Sequence, residues 1–503
     1  MRGVVAAGHP LTAEAGAAVL REGGNAVDAA VSAVLTSFAV ESPLTGFGAG
    51  GHMMVHGAGG ETTLIDFFVA APGFDGIDRG AELVPVPIRF GAETTQTFYV
   101  GPASCGVPGT AAGLAHAVER FGTMPLASLV EPGIRFAREG APVNRGQAWI
   151  LEILAPIHEQ MPGTRELYIP GGRRLGEGDV FRFPELAEAL ERFAAEGAEP
   201  FYRGEVAARI SDFVVRHGGT LGPGDLAAYE AVERPPIAAP FRGAEVLTNP
   251  PPSSGGILIA YCLGLLERFG PASGPEQLVL AMEAANDRRD LAFAEALYEE
   301  GMEASFLDPV GLDLAAADLL GSTTHISVLD GEGASASVTC SNGSGSGVLV
   351  PGTGVILNNM LGEEDLNPAG FHAIAPGRRV PSMMAPTVVL RDGEIALALG
   401  SAGSNRIRSA ILQTVVRVVE QGFPVEAAVE APRLHFEQGV VQAEPGIDAD
   451  ALARIEARGV PVARWSAINL FFGGVQAVAR DPVTGVLSGG GDPRRSGAVA
   501  YAG

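Results

Sequence analysis

Apolar residues recur at helical spacing through most of the chain that precedes Thr323. Over residues 11–40 they predict two helices: Ala13, Ala17 and Leu20 share a face of the first, and Ala26, Ala29, Ala30, Ala33 and Val34 share a face of the second. Gly23-Gly24-Asn25 marks the turn between them. Residues 108–120 and 126–138 carry the same period, the first introduced by the helix-start signal Pro108-Gly109-Thr110. Residues 184–197 and 204–217 are strongly amphipathic, 223–229 begins a shorter helix, and 276–300 is expected as one helix rich in Ala and acids. Asn249-Pro250-Pro251-Pro252-Ser253-Ser254-Gly255-Gly256 leads into an apolar helix over 257–266. The prolines give it an extended entry, and the serines are placed to cap it.

From Thr323 onward short strands dominate, at 325–329, 334–339, 354–357, 386–391 and 395–399, before helices return at 406–421, 424–431 and 449–458. Earlier strands are expected at the N-terminus, within Met1 to Pro10, and at Met53-Met54-Val55, which follows the glycine-rich run Gly46-Phe47-Gly48-Ala49-Gly50-Gly51. Strands flanked by helices on this scale predict a layered α/β sandwich. No repeat or low-complexity linker divides the chain. The stretch 301–322, with Gly301, Pro309, Gly311 and Gly321, is the best boundary or processing loop.

Composition narrows the function. The chain has 503 residues and is 47% hydrophobic, enough for a sizeable core, yet it contains no apolar run long enough to span a membrane. The opening residues lack the apolar core of a secretory signal, so a cytoplasmic protein is expected. A net charge of −24 disfavours a nucleic-acid partner. Cys105, Cys262 and Cys340 are odd in number and lack metal-ligand spacing, which fits a reducing compartment and no structural zinc. There is no lysine. Schiff-base chemistry and a complete phosphate-binding loop at Gly343-Ser344-Gly345-Ser346-Gly347 are therefore excluded.

The candidate chemistry lies at Gly321-Ser322-Thr323-Thr324-His325-Ile326-Ser327-Val328. A Thr hydroxyl is a poor nucleophile without an adjacent base. If the chain is cut before Thr323, the freed α-amine becomes that base. His325 follows on an alternating strand and is read as structural. His9, His52 and His56 have no metal geometry, and Asp28 is read as a helix-packing or hydrogen-bonding residue.

Several further stretches, in order along nearly the whole chain, carry a family resemblance. They are Glu22-Gly23-Gly24-Asn25-Ala26-Val27-Asp28-Ala29-Ala30, Gly106-Val107-Pro108-Gly109-Thr110, and Asp225-Leu226-Ala227-Ala228-Tyr229 with Val232-Glu233-Arg234. The run Pro250 to Gly256, Thr323-Thr324-His325, Leu357-Asn358-Asn359, Pro386-Thr387, Gly400-Ser401 and Asp492-Pro493-Arg494 continue it. With these the chain resembles the gamma-glutamyltranspeptidases, which are N-terminal-nucleophile hydrolases. The resemblance implies a four-layer αββα sandwich of the α/β (α+β) class. It also implies self-cleavage before Thr323 into segments 1–322 and 323–503 that stay intertwined as one structural domain.

The implied activity is transfer or hydrolysis of the acyl group of γ-glutamyl amides such as glutathione. It runs through a Thr acyl-enzyme, with water or an amino acid as acceptor and with no cofactor or metal. By the resemblance Thr323 is the nucleophile, Ser341 supports it during processing, and Gly403 and Ser404 supply paired oxyanion N–H donors. Ser404 departs from the family's second glycine. Asn342, aligned across a one-residue gap, Glu363 and Ser382 fall at substrate-binding positions.

The headgroup residues fit less well. The family's carboxylate-binding Arg has no counterpart after Leu64-Ile65-Asp66-Phe67-Phe68, where Arg79 and Arg89 are the nearest arginines. Met360 stands at the family's amine ligand and Met383 at its second serine. A charge-assisted hydrogen bond is worth roughly 1.5–3 kcal/mol, so these losses predict weak γ-glutamyl selection. A cephalosporin- or glutaryl-type acylase on the same frame is the alternative, and a non-enzymatic binding descendant is the rival from another class.

Overall fold

The computed structural model describes residues 1–89, 95–307 and 323–503. Two antiparallel sheets pack face to face. The first has the order Ala498–Ala502, Gly3–Ala7, Thr324–Asp330, Ser335–Ser341, Gly50–His56, Thr62–Phe67 and Val232–Arg234. The second runs Leu487–Gly491, Gly474–Arg480, Glu394–Ala402, Thr387–Arg391, Ala244–Thr248 and Ile237–Phe241. Helices Pro10–Arg21 and Ala26–Val40 cover the outer face of the first sheet, and Ser254–Phe269 and Arg406–Val419 that of the second, giving the expected αββα layers. Each sheet contains strands from both sides of residue 323, so neither segment makes a complete sheet alone.

The position between layers explains the composition of the central elements. The strand Thr324–Asp330 has a sheet against one face and helices against the other, and all its residues are buried. Helix Ala26–Val40 buries every residue, hence its Ala and Val content. Its start is a capping box: Asn25 Oδ1 accepts from the Val27 and Asp28 N–H groups, and Asp28 accepts from Asn25 N–H at 2.9 Å. Asp28 also accepts from the Thr123 and Met124 N–H groups, tying a second helix pair to this corner as its sequence setting predicts.

Four expectations need correction. The 276–300 helix stops at Asp287 and restarts as Leu291–Ala296, because Asp290 caps the new turn by accepting from Phe293 N–H at 2.7 Å. The 126–138 helix is two pieces, Leu126–Leu129 and Glu131–Glu139, with Pro132 in the first turn of the second. The 354–357 strand shrinks to Val355–Ile356. Ser253 and Ser254 do not cap their helix: both hydroxyls donate to the Ser382 carbonyl, as do the Ser254 and Gly255 N–H groups. A Cβ on Gly255 would lie 2.2 Å from the Met383 carbonyl oxygen. The Pro-Ser-Gly run is therefore a dock for residues 382–384. The predicted processing loop lies mostly, and Ser322 wholly, outside the described residues.

Candidate active site

Thr323 enters the first sheet at its buried end. The register pairs Thr324 with Cys340 and His325 with Thr339, which sets Thr323 opposite Ser341. Directly opposed antiparallel residues hold their Cβ atoms about 4.5–5.5 Å apart. Thr323 is 4% exposed and Ser341 1%. Ser341 Oγ accepts from Gly343 N–H at 2.8 Å, which turns the chain out of the strand.

Below Thr323, His325 joins the sheets. Its Nδ1 bonds Thr339 Oγ1 at 2.8 Å, and its Nε2 bonds Ser327 Oγ at 2.9 Å. Burial drives its pKa down to about 3, so the ring is neutral and structural, as the strand alternation predicts. A Cβ on Gly400 would meet that ring at 2.2 Å, which accounts for the glycine in Gly400-Ser401. Three residues further along the same chain is Gly403.

Gly403 and Ser404 form the turn between strand Glu394–Ala402 and helix Arg406–Val419, with φ of 118° and 53°. Their carbonyls accept from the Arg406 and Ile407 N–H groups. Neither of their own N–H groups donates to an acceptor among the described residues. Two adjacent unengaged donors beside a hydroxyl are what an oxyanion site requires.

A small cavity of about 20 Å³ joins these parts. Its polar lining is Thr323, Ser341, Glu363, Ser382 and Ser404, and its apolar lining is Phe68, Met360, Leu366, Met383, Met384 and Ile407. Gly343 also faces it. Asn342 does not. Its side chain lies toward Gly46, and both of its polar atoms lack a hydrogen-bond partner among the described residues. Asn342 directly follows the last residue of strand Ser335–Ser341, where the chain turns away.

The charges around the cavity are buried. Glu363 Oε1 accepts from Ser344 N–H at 2.9 Å. Burial, reinforced by the nearby charge of Asp365, pushes its carboxyl well above the ordinary range. Burial raises Asp365 too, while Arg289, the Ser404 hydroxyl and Arg406 favour its charged form. Among the described residues no arginine lines the cavity. Arg79 and Arg89 are exposed, and Arg379 and Arg234 are held by Asp66 at 3.3 and 2.9 Å. An open groove of about 860 Å³ runs past Arg234, Arg378 and Arg379, but none of the Thr323 cavity residues line it; Thr323 and the unengaged N–H pair lie at the smaller cavity.

Other sequence motifs converge behind this wall. The Asn358 side chain donates to the Gly48 and Gly106 carbonyls and accepts from Gly106 N–H, joining two glycine-bearing stretches, 46–51 and 106–109. Tyr229 Oη donates to the Phe68 carbonyl at 2.7 Å. Sequence reasoning missed Met384, Leu366 and Ile407 as lining residues, since nothing local distinguishes them from core. It had no signal for Asp365, whose partners lie far along the chain.

The family model described as Gamma-glutamyltranspeptidase matches residues 12–502. The chain is 32% identical over 539 aligned positions to the glutathione hydrolase proenzyme of Escherichia coli (strain K12), with 98% of this chain and 90% of that protein covered. It is 34% identical over 514 positions to the acylase ACY 1 proenzyme of Pseudomonas sp. (strain V22), covering 97% and 91%. The crystal structure of cephalosporin acylase from Bacillus halodurans superposes with a TM-score of 0.84 at 26% identity, over 99% of this chain and 96% of that one.

Proposed function

The chain belongs to the gamma-glutamyltranspeptidase family, and from that premise we propose a self-processing Thr amidohydrolase that takes the acyl group of γ-glutamyl and related amides while selecting only weakly for the amino-acid headgroup. One observation carries the specificity: the wall beside Thr323 is Phe68, Met360, Leu366, Met383, Met384 and Ile407, with no cation lining it among the described residues.

In maturation the Thr323 hydroxyl attacks the Ser322 carbonyl. The acyl group passes from the Thr323 nitrogen to its Oγ1, which frees the α-amine, and water then hydrolyses the resulting ester to release the Thr323 hydroxyl and the 1–322 carboxylate. The cavity has room for about one such water. Ser341, across the ladder from Thr323, supports the hydroxyl in this step. In turnover the α-amine takes the hydroxyl proton as Thr323 Oγ1 bonds to the donor carbonyl carbon. The Gly403 and Ser404 N–H groups receive the oxyanion, and the amine returns the proton to the departing nitrogen. Water or an amino acid then attacks the acyl-enzyme and restores Thr323. The acyl chain lies along the methionines with Ser382 at its edge, and Glu363, uncharged, offers a hydrogen bond rather than an ion pair.

The relatives include both glutathione hydrolases and an acylase, so a panel of donors is the test. Purified protein incubated with γ-glutamyl, glutaryl and simple acyl anilides should run as two chains, the smaller beginning at Thr323 and carrying the trapped acyl mass. Glutaryl and neutral donors should turn over at least as well as γ-glutamyl ones. A folded protein that stays full length on prolonged incubation rules out the mechanism. Strong preference for glutathione over glutaryl donors rules out the specificity.

A further inference from the structure

Ser404 is a non-glycine residue in the left-handed region, with φ of 53°, at the turn that carries the unengaged N–H pair. Nothing in the turn's own backbone demands a side chain there, and left-handed backbone disfavours one. The side chain is nevertheless engaged. Ser404 Oγ donates to Asp365 Oδ2 at 2.8 Å, with both residues almost wholly buried. A second link runs parallel to it: Arg289 Nη1 donates to Asn405 Oδ1 at 3.0 Å, and Arg289 Nη2 donates to the Asp365 carbonyl at 2.8 Å. Asp365 belongs to the short turn that also carries Met360, Glu363 and Leu366 of the cavity wall.

We propose that the Ser404 hydroxyl and the Asp365 carboxylate form a positioning latch, which fixes the Ser404 N–H on the oxyanion and ties the oxyanion turn to the loop that holds the acyl group. The proposal rests on the reading that Gly403 and Ser404 stabilise the oxyanion. Preorganised donors act by being in place before charge develops. A turn strained by a side chain at positive φ holds its geometry only while its surroundings over-determine it, and here the over-determining contact comes from the acyl-pocket loop. An acyl group that seats against Met360 and Leu366 therefore also seats the oxyanion donor. The rate, more than the affinity, should depend on how the pocket is filled.

The latch makes stability and activity move in opposite directions, which a merely structural hydroxyl would not do. Ser404→Gly removes the hydroxyl and relieves the backbone. Its Tm should hold or rise, kcat for an acyl anilide should fall about tenfold, and KM should stay within about twofold. Ser404→Ala keeps the backbone strain without the hydroxyl, so Tm and kcat should both fall. Asp365→Asn keeps an acceptor oxygen and should lose less rate than Ser404→Gly. The double variant should lose no more rate than Ser404→Gly alone, because both changes act on one bond.

Chain cleavage is followed by intact mass in every case, and rates are normalised to the mature fraction. If Ser404→Gly does not mature, Ser404→Ala and Asp365→Asn carry the comparison. Wild-type kcat in the Ser404 variants, or fully additive losses in the double variant, overturns the latch alone. A wild-type protein that neither matures nor turns over overturns the oxyanion reading and the latch with it.

Discussion

The two halves of the Thr323 cavity are built on different principles. On the side proposed for catalysis everything is main chain or small hydroxyl: Thr323 opposite Ser341 on paired strands, and the Gly403–Ser404 turn anchored through His325 and Gly400 to the same ladder. That geometry is set by sheet register, which admits no partial slip. On the acyl side the contacts are side chains on irregular segments, and three of them are methionines, the residue type most able to refill a changed space. A shared reaction can persist on the first half while the second half is rewritten. Relatives that include both a glutathione hydrolase and an acylase are consistent with that division.

The sharpest way to break the comparison is at the catalytic side. Thr323→Ala should leave a single full-length chain on a denaturing gel and lower amide turnover by more than about a thousandfold, with the fold intact by circular dichroism. Cleavage in that variant would mean that the register has been read against the wrong residue.

Ser341→Ala should slow maturation by roughly ten- to a hundredfold and change Tm little. It removes one hydroxyl that accepts from Gly343 N–H, worth about 1 kcal/mol of fold stability. The time course of the smaller chain by mass spectrometry reports this directly, and wild-type maturation kinetics would remove Ser341 from the mechanism.

The acyl side should respond in the opposite sense, by gain rather than loss. Met360→Gln with Met383→Ser returns polar groups to the two positions where the family carries them. The pair should lower KM for a γ-glutamyl anilide by about tenfold, in line with one recovered charge-assisted hydrogen bond, and raise KM for a neutral acyl anilide. Unchanged selectivity would show that the headgroup is read elsewhere, and that the methionine wall is not the determinant.

The same division explains what could be read in the sequence. The hairpin through Asp330-Gly331 was legible from its two strand-like runs, whereas Ser341 was singled out by the family resemblance alone; the register of that hairpin is what sets it opposite Thr323. Asn342 does not join the cavity, because the chain leaves the strand at Ser341 and its side chain lies toward Gly46. The layered fold was legible from periodicity, while the break at Asp290 was not, because a local cap overrode an uninterrupted helical pattern. The serines of the Pro-Ser-Gly run looked like caps, and their actual acceptor, the Ser382 carbonyl, is distant in sequence. The Ser404–Asp365 bond had no local signal at all.

The smallest expected effect concerns Glu363, which sits where the two halves meet. Burial raises its carboxyl well above the ordinary value of 4.5, and the nearby charge of Asp365 adds to the rise. Between the ordinary and the raised value the folded chain therefore holds a proton that the unfolded chain releases. Stability contributed by this group is fully present below the ordinary value and is lost as pH rises toward the folded one. Glu363→Gln keeps an oxygen to accept from Ser344 N–H but cannot ionise. The variant should thus match wild type near pH 4 and exceed it at pH 8, by about 1–3 °C in Tm, with neutral-donor turnover little changed. A variant less stable than wild type at pH 8, and equal to it at pH 4, would show Glu363 ionised and paired in the fold. It would then be a ready anion for a substrate ammonium, and the acyl side would have kept more of the family's headgroup recognition than its methionines indicate.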